Sequence, residues 1–109
     1  MTKNGTTRSL FELTGKVALV TGASKGIGET IAHALAEYGA SVVVSSRKQE
    51  AVDSVAQQIQ SRGFEAAAIA ANMGRLEQVE ALVDSVVSQY GALDIIVNNA
   101  GIHPASPLD

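Results

Sequence analysis

From Lys16 onward two rhythms of apolar residues alternate: short unbroken runs, then stretches in which apolar positions recur every three or four residues. The runs are Lys16–Thr21, Ala40–Ser45, Glu65–Ala70 and Leu93–Asn98, centred on Val17-Ala18-Leu19-Val20, Val42-Val43-Val44 and Ile95-Ile96-Val97 in the first, second and fourth. Unbroken runs of this length predict strands covered on both faces. The third, Ala66-Ala67-Ala68-Ile69-Ala70, is rich in alanine, so its place in the repeat carries the prediction more than strand propensity does.

Between the runs, Ile27, Ile31, Leu35 and Tyr38 fall on one helical face, as do Val52, Val55, Ala56 and Ile59, and then Leu76, Val79, Val83, Val86, Val87 and Tyr90. Glycine follows each stretch, at Gly39, Gly63 and Gly91, where it can close a helix in the left-handed conformation. Gly74 and Glu77 mark the start of the third helix, the glutamate placed as in half a capping box. Each helix returns the chain to the same end of the sheet, which forces parallel pairing. With right-handed crossovers this predicts an α/β fold with a Rossmann-type doubly wound sheet.

Composition narrows the class. Hydrophobic residues make up 46% of the 109 and charged ones 17%, with two prolines, the balance of one packed domain. A net charge of −3 repels nucleic acid and anionic membrane surfaces, so neither is an expected partner. The absence of cysteine excludes a disulfide framework, a thiolate metal site and a cysteine nucleophile. No stretch reaches the roughly 18 apolar residues of a membrane span, and Met1 to Ser9 lack an apolar leader. The expectation is a cytoplasmic protein with a polar tail at 1–12 and one folded domain at 13–109.

The densest chemical signal is Thr21-Gly22-Ala23-Ser24-Lys25-Gly26-Ile27-Gly28, between the first strand and the first helix. A pyrophosphate can sit on a helix N-terminus, where unpaired N–H groups and the dipole favour anions, only if side chains leave the backbone accessible. Here Gly22 makes the tight exit from the strand, Gly26 lets the backbone approach the phosphates, and Gly28 lets the helix pack closely. At the end of the second strand an NAD site would want a carboxylate for the ribose hydroxyls. Ser46 stands there instead, followed by Arg47 and Lys48, and a guanidinium fork suits a 2′-phosphate. NADP is therefore the expected cofactor, ahead of NAD.

The spacing Gly-x-x-x-Gly-x-Gly, together with Asn98-Asn99-Ala100-Gly101 after the fourth strand, resembles the short-chain dehydrogenase/reductase family. The lead-in Leu13-Thr14-Gly15-Lys16 fits it too, so the resemblance covers roughly residues 10 to 103. It implies the strand order 3-2-1-4, an oxidoreductase moving hydride between NADP(H) and a carbonyl or alcohol substrate, and cofactor contacts from Gly22, Ser24, Lys25, Gly26, Ile27, Gly28, Ser46, Arg47, Asn72, Met73, Asn99, Ala100 and Gly101. Lys25 matches the basic residue that many NADP-linked members carry in the glycine loop. Asn72 and Met73 stand where many members have an acid and an apolar residue beside the adenine; Asn72 departs from the acid but keeps a polar amide. The amides of Asn98 and Asn99 can bond to neighbouring loop backbone or to a ribose.

The same resemblance puts the family's catalytic asparagine, serine, tyrosine and lysine beyond Asp109, so no catalytic residue is assigned. Neither tyrosine has a lysine four residues on: Val42 follows Tyr38 at that spacing and Asp94 follows Tyr90. His33 lies off the apolar stripe and reads as solvated; His103 reads as a loop residue. The fourth strand would be an open edge where a fifth should pair. Two functions follow: the cofactor-binding half of an enzyme, with a homo-oligomer as one form of the parent, or a stand-alone nucleotide-binding or subunit-interaction module without turnover.

Overall fold

The computed structural model describes residues 12–99. Its elements are β1 (Val17–Thr21), α1 (Gly26–Glu37), β2 (Ser41–Ser45), α2 (Gln49–Ser61), β3 (Ala66–Ala68), α3 (Leu76–Tyr90) and β4 (Ile95–Asn98). The strands form one parallel sheet in the order β3-β2-β1-β4, as expected for a Rossmann-type fold. The polar tail and the last residues, with Ala100, Gly101 and His103, lie outside the described residues.

Alternation along the strands sorts the core onto two faces. Ala18 and Val20 of β1 and Val42 and Val44 of β2 pack with Ala32 and Ala36 of α1 and with Val52, Val55, Ala56 and Ile59 of α2. Val17, Leu19 and Val43 point the other way, to Leu82 and Val86 of α3. Strands buried on both faces need unbroken apolar runs, which is why β1 and β2 carry them.

Three helix faces were predicted, and only that of α2 is buried whole. In α1 the buried row is Gly28, Ala32 and Ala36, with Ile31 and Leu35 beside it, while Ile27 is 71% exposed. Small residues win this face because they let the helix lie close to the sheet. In α3 Leu82 and Val86 are buried, and Leu76 and Val87 turn outward. That helix starts one residue later than its glutamate suggested. Glu77 pairs with Arg75 at 3.3 Å, and Gln78 reaches back instead, its Oε1 accepting from Asn72 N–H at 2.8 Å.

β4 joins the sheet through a double clip at its start. Asp94 N–H donates to Val17 O at 2.9 Å, and Val17 N–H donates to Asp94 Oδ2 at 2.8 Å. Ile95 and Val97 then pack into the core beside β1, whereas Ile96, on the α3 side, is 58% exposed. β3 is shorter than its apolar run, though Ile69 N–H still reaches Val44 O at 3.1 Å beyond it. Among the described residues, no helix is long and apolar enough to cross a membrane.

Candidate cofactor site

Parallel pairing brings the exits of all four strands to one end of the sheet, and a row of hydrogen bonds ties them together. Asn99 Nδ2 donates to Gly22 O at 3.0 Å, joining the exit of β4 to that of β1. Ala23 N–H donates to Ser45 O at 3.1 Å, joining β1 to β2, and Ala71 N–H donates to Ser46 O at 2.9 Å, joining β2 to β3. Thr21 Oγ1 adds a bond to Asn98 Oδ1 at 3.0 Å. Of the two roles open to the asparagine amides, the one seen is bonding to loop backbone and side chain.

The glycine loop turns on Gly22, whose φ of +63° permits the sharp exit from β1. Gly28 lies in the first turn of α1 against that exit: a Cβ there would stand 2.1 Å from Gly22 O and 2.8 Å from Asn99 Nδ2. Close packing is therefore against the loop's own backbone. At Gly26 an added Cβ would meet nothing within 4 Å, so the backbone faces open space. Lys25 is the N-cap of α1 and gives no side-chain cap, and Ile27 stands exposed beside it. Ser24 is half-buried within the loop.

Ser46, Arg47 and Lys48 form the turn after β2. Ser46 Oγ accepts from Lys48 N–H at 3.3 Å, so the serine shapes the turn, and Lys48 becomes the N-cap of α2 without a side-chain cap. Lys25, Arg47 and Lys48 are exposed and make no ion pair among the described residues. After β3, Asn72 Oδ1 accepts from Gly74 N–H at 2.8 Å, and Met73 packs half-buried against the cluster under α3. The loops after β1, β2 and β3 and the exit of β4, which carry the described site residues, thus lie at one end of the sheet.

The other conspicuous polar groups lie elsewhere. Tyr90 ends α3 at the opposite end of the sheet; burial first, and the carboxylate of Glu65 second, push its phenol above the ordinary value. That is the reverse of what a proton-transferring tyrosine needs. His33 is not free in solvent as expected: Arg62, at the end of α2, reaches across to bond Glu37 Oε2 and, at 2.6 Å, His33 Nδ1. One residue at the site, Gln49, escaped the sequence reading because its contacts are with β3, about a full crossover away in the chain.

The chain matches the family model for short chain dehydrogenases over residues 16–109. It is 44% identical over 101 residues to an uncharacterized oxidoreductase of Methylorubrum extorquens, covering 92% of this chain and 41% of that protein. It is 48% identical over 88 residues to the 3-oxoacyl-acyl-carrier-protein reductase FabG of Staphylococcus aureus, covering 80% and 36%. Among solved structures, a hydroxysteroid dehydrogenase from Escherichia coli superposes with a TM-score of 0.84 at 41% identity, covering 94% of this chain and 43% of that one. A metagenomic short-chain oxidoreductase in complex with NADP gives 0.79 at 37%, covering 88% and 47%. The chain thus spans less than half the length of these relatives. With the family model matched, and with its glycine loop, strand order and the Asn98-Asn99 pair at the end of β4, the chain belongs to the short-chain dehydrogenase/reductase family of oxidoreductases.

Proposed function

We propose that residues 1–109 bind the adenosine and pyrophosphate part of NADP(H) for an oxidoreductase that interconverts a carbonyl and an alcohol. The observation that carries the NADP reading is the turn after β2, where Ser46 replaces a carboxylate and Arg47 and Lys48 stand exposed and unpaired among the described residues. A guanidinium fork there complements a 2′-phosphate, which a carboxylate would repel. The NADP bound to one solved neighbour and the NADPH bound to another, a polyketide ketoreductase, support the same choice.

The residues present fit the dinucleotide. The uncapped first turn of α1 offers backbone N–H groups to the pyrophosphate, and the open space at Gly26 lets it approach. Lys25, Ser24 and Ile27 border that approach. Asn99 acts indirectly by holding Gly22 O, and Asn72 and Met73 form the adenine side, with Ala100 and Gly101 completing the motif. When bound, the nicotinamide supplies the hydride chemistry; this chain's residues bind and orient it. Proton transfer falls to groups outside residues 1–109, and a cytoplasmic location accompanies the reading.

Titration of the chain with NADPH and NADH tests the assignment. Tighter binding of NADPH is expected, and equal binding or a preference for NADH would overturn it. The purified chain should not oxidise NADPH across a panel of carbonyl compounds, because no group manages the proton. A serine followed by Tyr-x-x-x-Lys in the reading frame past Asp109 would support the enzyme; an immediate stop would favour a module without turnover.

A further inference from the structure

The side-chain amide of Gln49 uses both of its N–H bonds and its oxygen. Nε2 donates to Asp53 Oδ1 at 2.9 Å and to Ala68 O at 3.3 Å, and Oε1 accepts from Ala70 N–H at 3.1 Å. Ala68 O and Ala70 N–H are backbone groups that β2 does not take. Gln49 therefore stands in for one residue of a neighbouring strand, at the point where β3 ends. A flipped amide would set its NH₂ against Ala70 N–H, so the orientation is fixed.

Its place in the chain gives this contact its meaning. Gln49 directly follows Ser46-Arg47-Lys48, and Ala70 directly precedes Ala71 and Asn72. The turn after β2 and the loop after β3 are thus tied twice, once through Ser46 O to Ala71 N–H at 2.9 Å and once through Gln49. Within the turn, the two contacts of Ser46 Oγ with Lys48 are long, at 3.3 and 3.4 Å. Arg47 makes no ion pair among the described residues that would aim it, so the backbone of the turn sets its direction.

We infer that Gln49 is a positioning residue for the 2′-phosphate end of the cofactor, holding the Ser46–Lys48 turn against the adenine-side loop so that the fork of Arg47 is presented ready-placed. The inference rests on the NADP reading above. A turn already ordered before binding loses less freedom when the ligand arrives, and this is where the affinity comes from.

Gln60, at the other end of α2, provides the control. Its Nε2 donates to Ala66 O at 2.7 Å, a tie between the same helix and the same strand but remote from the turn. Calorimetric titration with 2′,5′-ADP and with 5′-ADP compares the unmutated chain with Gln49→Met and Gln60→Met. Gln49→Met should weaken 2′,5′-ADP by about three- to tenfold. It should weaken 5′-ADP less, narrowing the preference, while Gln60→Met keeps the preference whatever it does to melting. An unaltered preference in Gln49→Met, or equal narrowing in Gln60→Met, would overturn the inference and leave the NADP reading intact. No preference in the unmutated chain would remove the NADP reading, and the inference with it. Amide exchange needs no variant: saturating 2′,5′-ADP should slow exchange at Ala70, and unchanged exchange with ligand bound would also overturn the role.

Discussion

At the amino end of the sheet, element boundaries close on the protein itself. Val17 and Asp94 exchange two bonds, Leu13 N–H reaches Tyr38 O, and Gly91 N–H reaches Val87 O. At the carboxyl end all three helices begin on a basic N-cap, Lys25, Lys48 or Arg75, and none has a side-chain cap. A capping side chain is worth about 1 kcal/mol, so its absence from every helix start leaves stability unrealised. A cation there also opposes the helix dipole. The difference teaches where this fold keeps its stability and where it keeps donors available for an anion.

Four variants sharpen or break that contrast. The largest effect is expected from Gly28→Ala, whose Cβ would stand 2.1 Å from Gly22 O, a backbone atom with no rotamer to relieve the clash. Loss of about 3 kcal/mol in urea unfolding, together with loss of nucleotide binding, should result. Unfolding like that of the parent chain would mean that the loop has slack. Next comes the pair Arg47→Leu and Ser46→Asp, read by titration with NADPH and NADH. Removing the fork and adding a carboxylate should cost about ten- to a hundredfold in NADPH affinity, leaving NADH preferred. An unchanged ratio of the two cofactors would show that the turn after β2 does not discriminate.

Asp94→Ala probes the amino end alone. It removes a charge-assisted acceptor from Val17 N–H and should cost about 1.5 kcal/mol in stability, with the NADPH-to-NADH preference unchanged. A shifted preference would mean that the two ends are coupled. The smallest effect is that of Tyr90→Phe, seen only in alkali. Burial, then Glu65, holds the Tyr90 phenol above its ordinary value of 10.0, so the folded chain keeps a proton that the unfolded chain gives up. That contribution is intact below the unfolded value and is lost as pH rises through the folded one. Tyr90→Phe should therefore lose less stability than the parent between about pH 9 and pH 11, checked by unfolding midpoints; parallel losses would place the alkaline sensitivity elsewhere.

The strands and the glycine loop were legible because period and punctuation are local signals, whereas the strand order came only from the family resemblance. Burial within the helices was less so. Ile27 and Leu76 fit the helical period, yet they point outward, since periodicity names a stripe but not which neighbouring stripe the sheet takes. Ala32 and Ala36 take that place in α1 by being small. The run Glu65–Ala70 promised a longer β3, but an edge strand has only one neighbour to pair with, and the side chains of Gln49 and Gln60 occupy groups on its other side. Those amide contacts leave no trace in period or composition. At the start of α3 the expected capping box does not form: the helix begins one residue later, at the N-cap Arg75, and Gln78 reaches past that N-cap to Asn72 N–H.

The bond from Asn99 to Gly22 spans 77 positions of the chain, and that separation has a consequence in time. In the order β3-β2-β1-β4, the first three strands pair with sequence neighbours, while β1 must wait for β4 to fill its other side. Closing so long a loop carries an entropic cost that local pairing does not. A nascent chain emerging from the ribosome could therefore assemble β1, β2 and β3 with the helices between them before Asn99 has been synthesised. In that order the bond of Asn99 to Gly22 forms only after β1, β2 and β3 have paired.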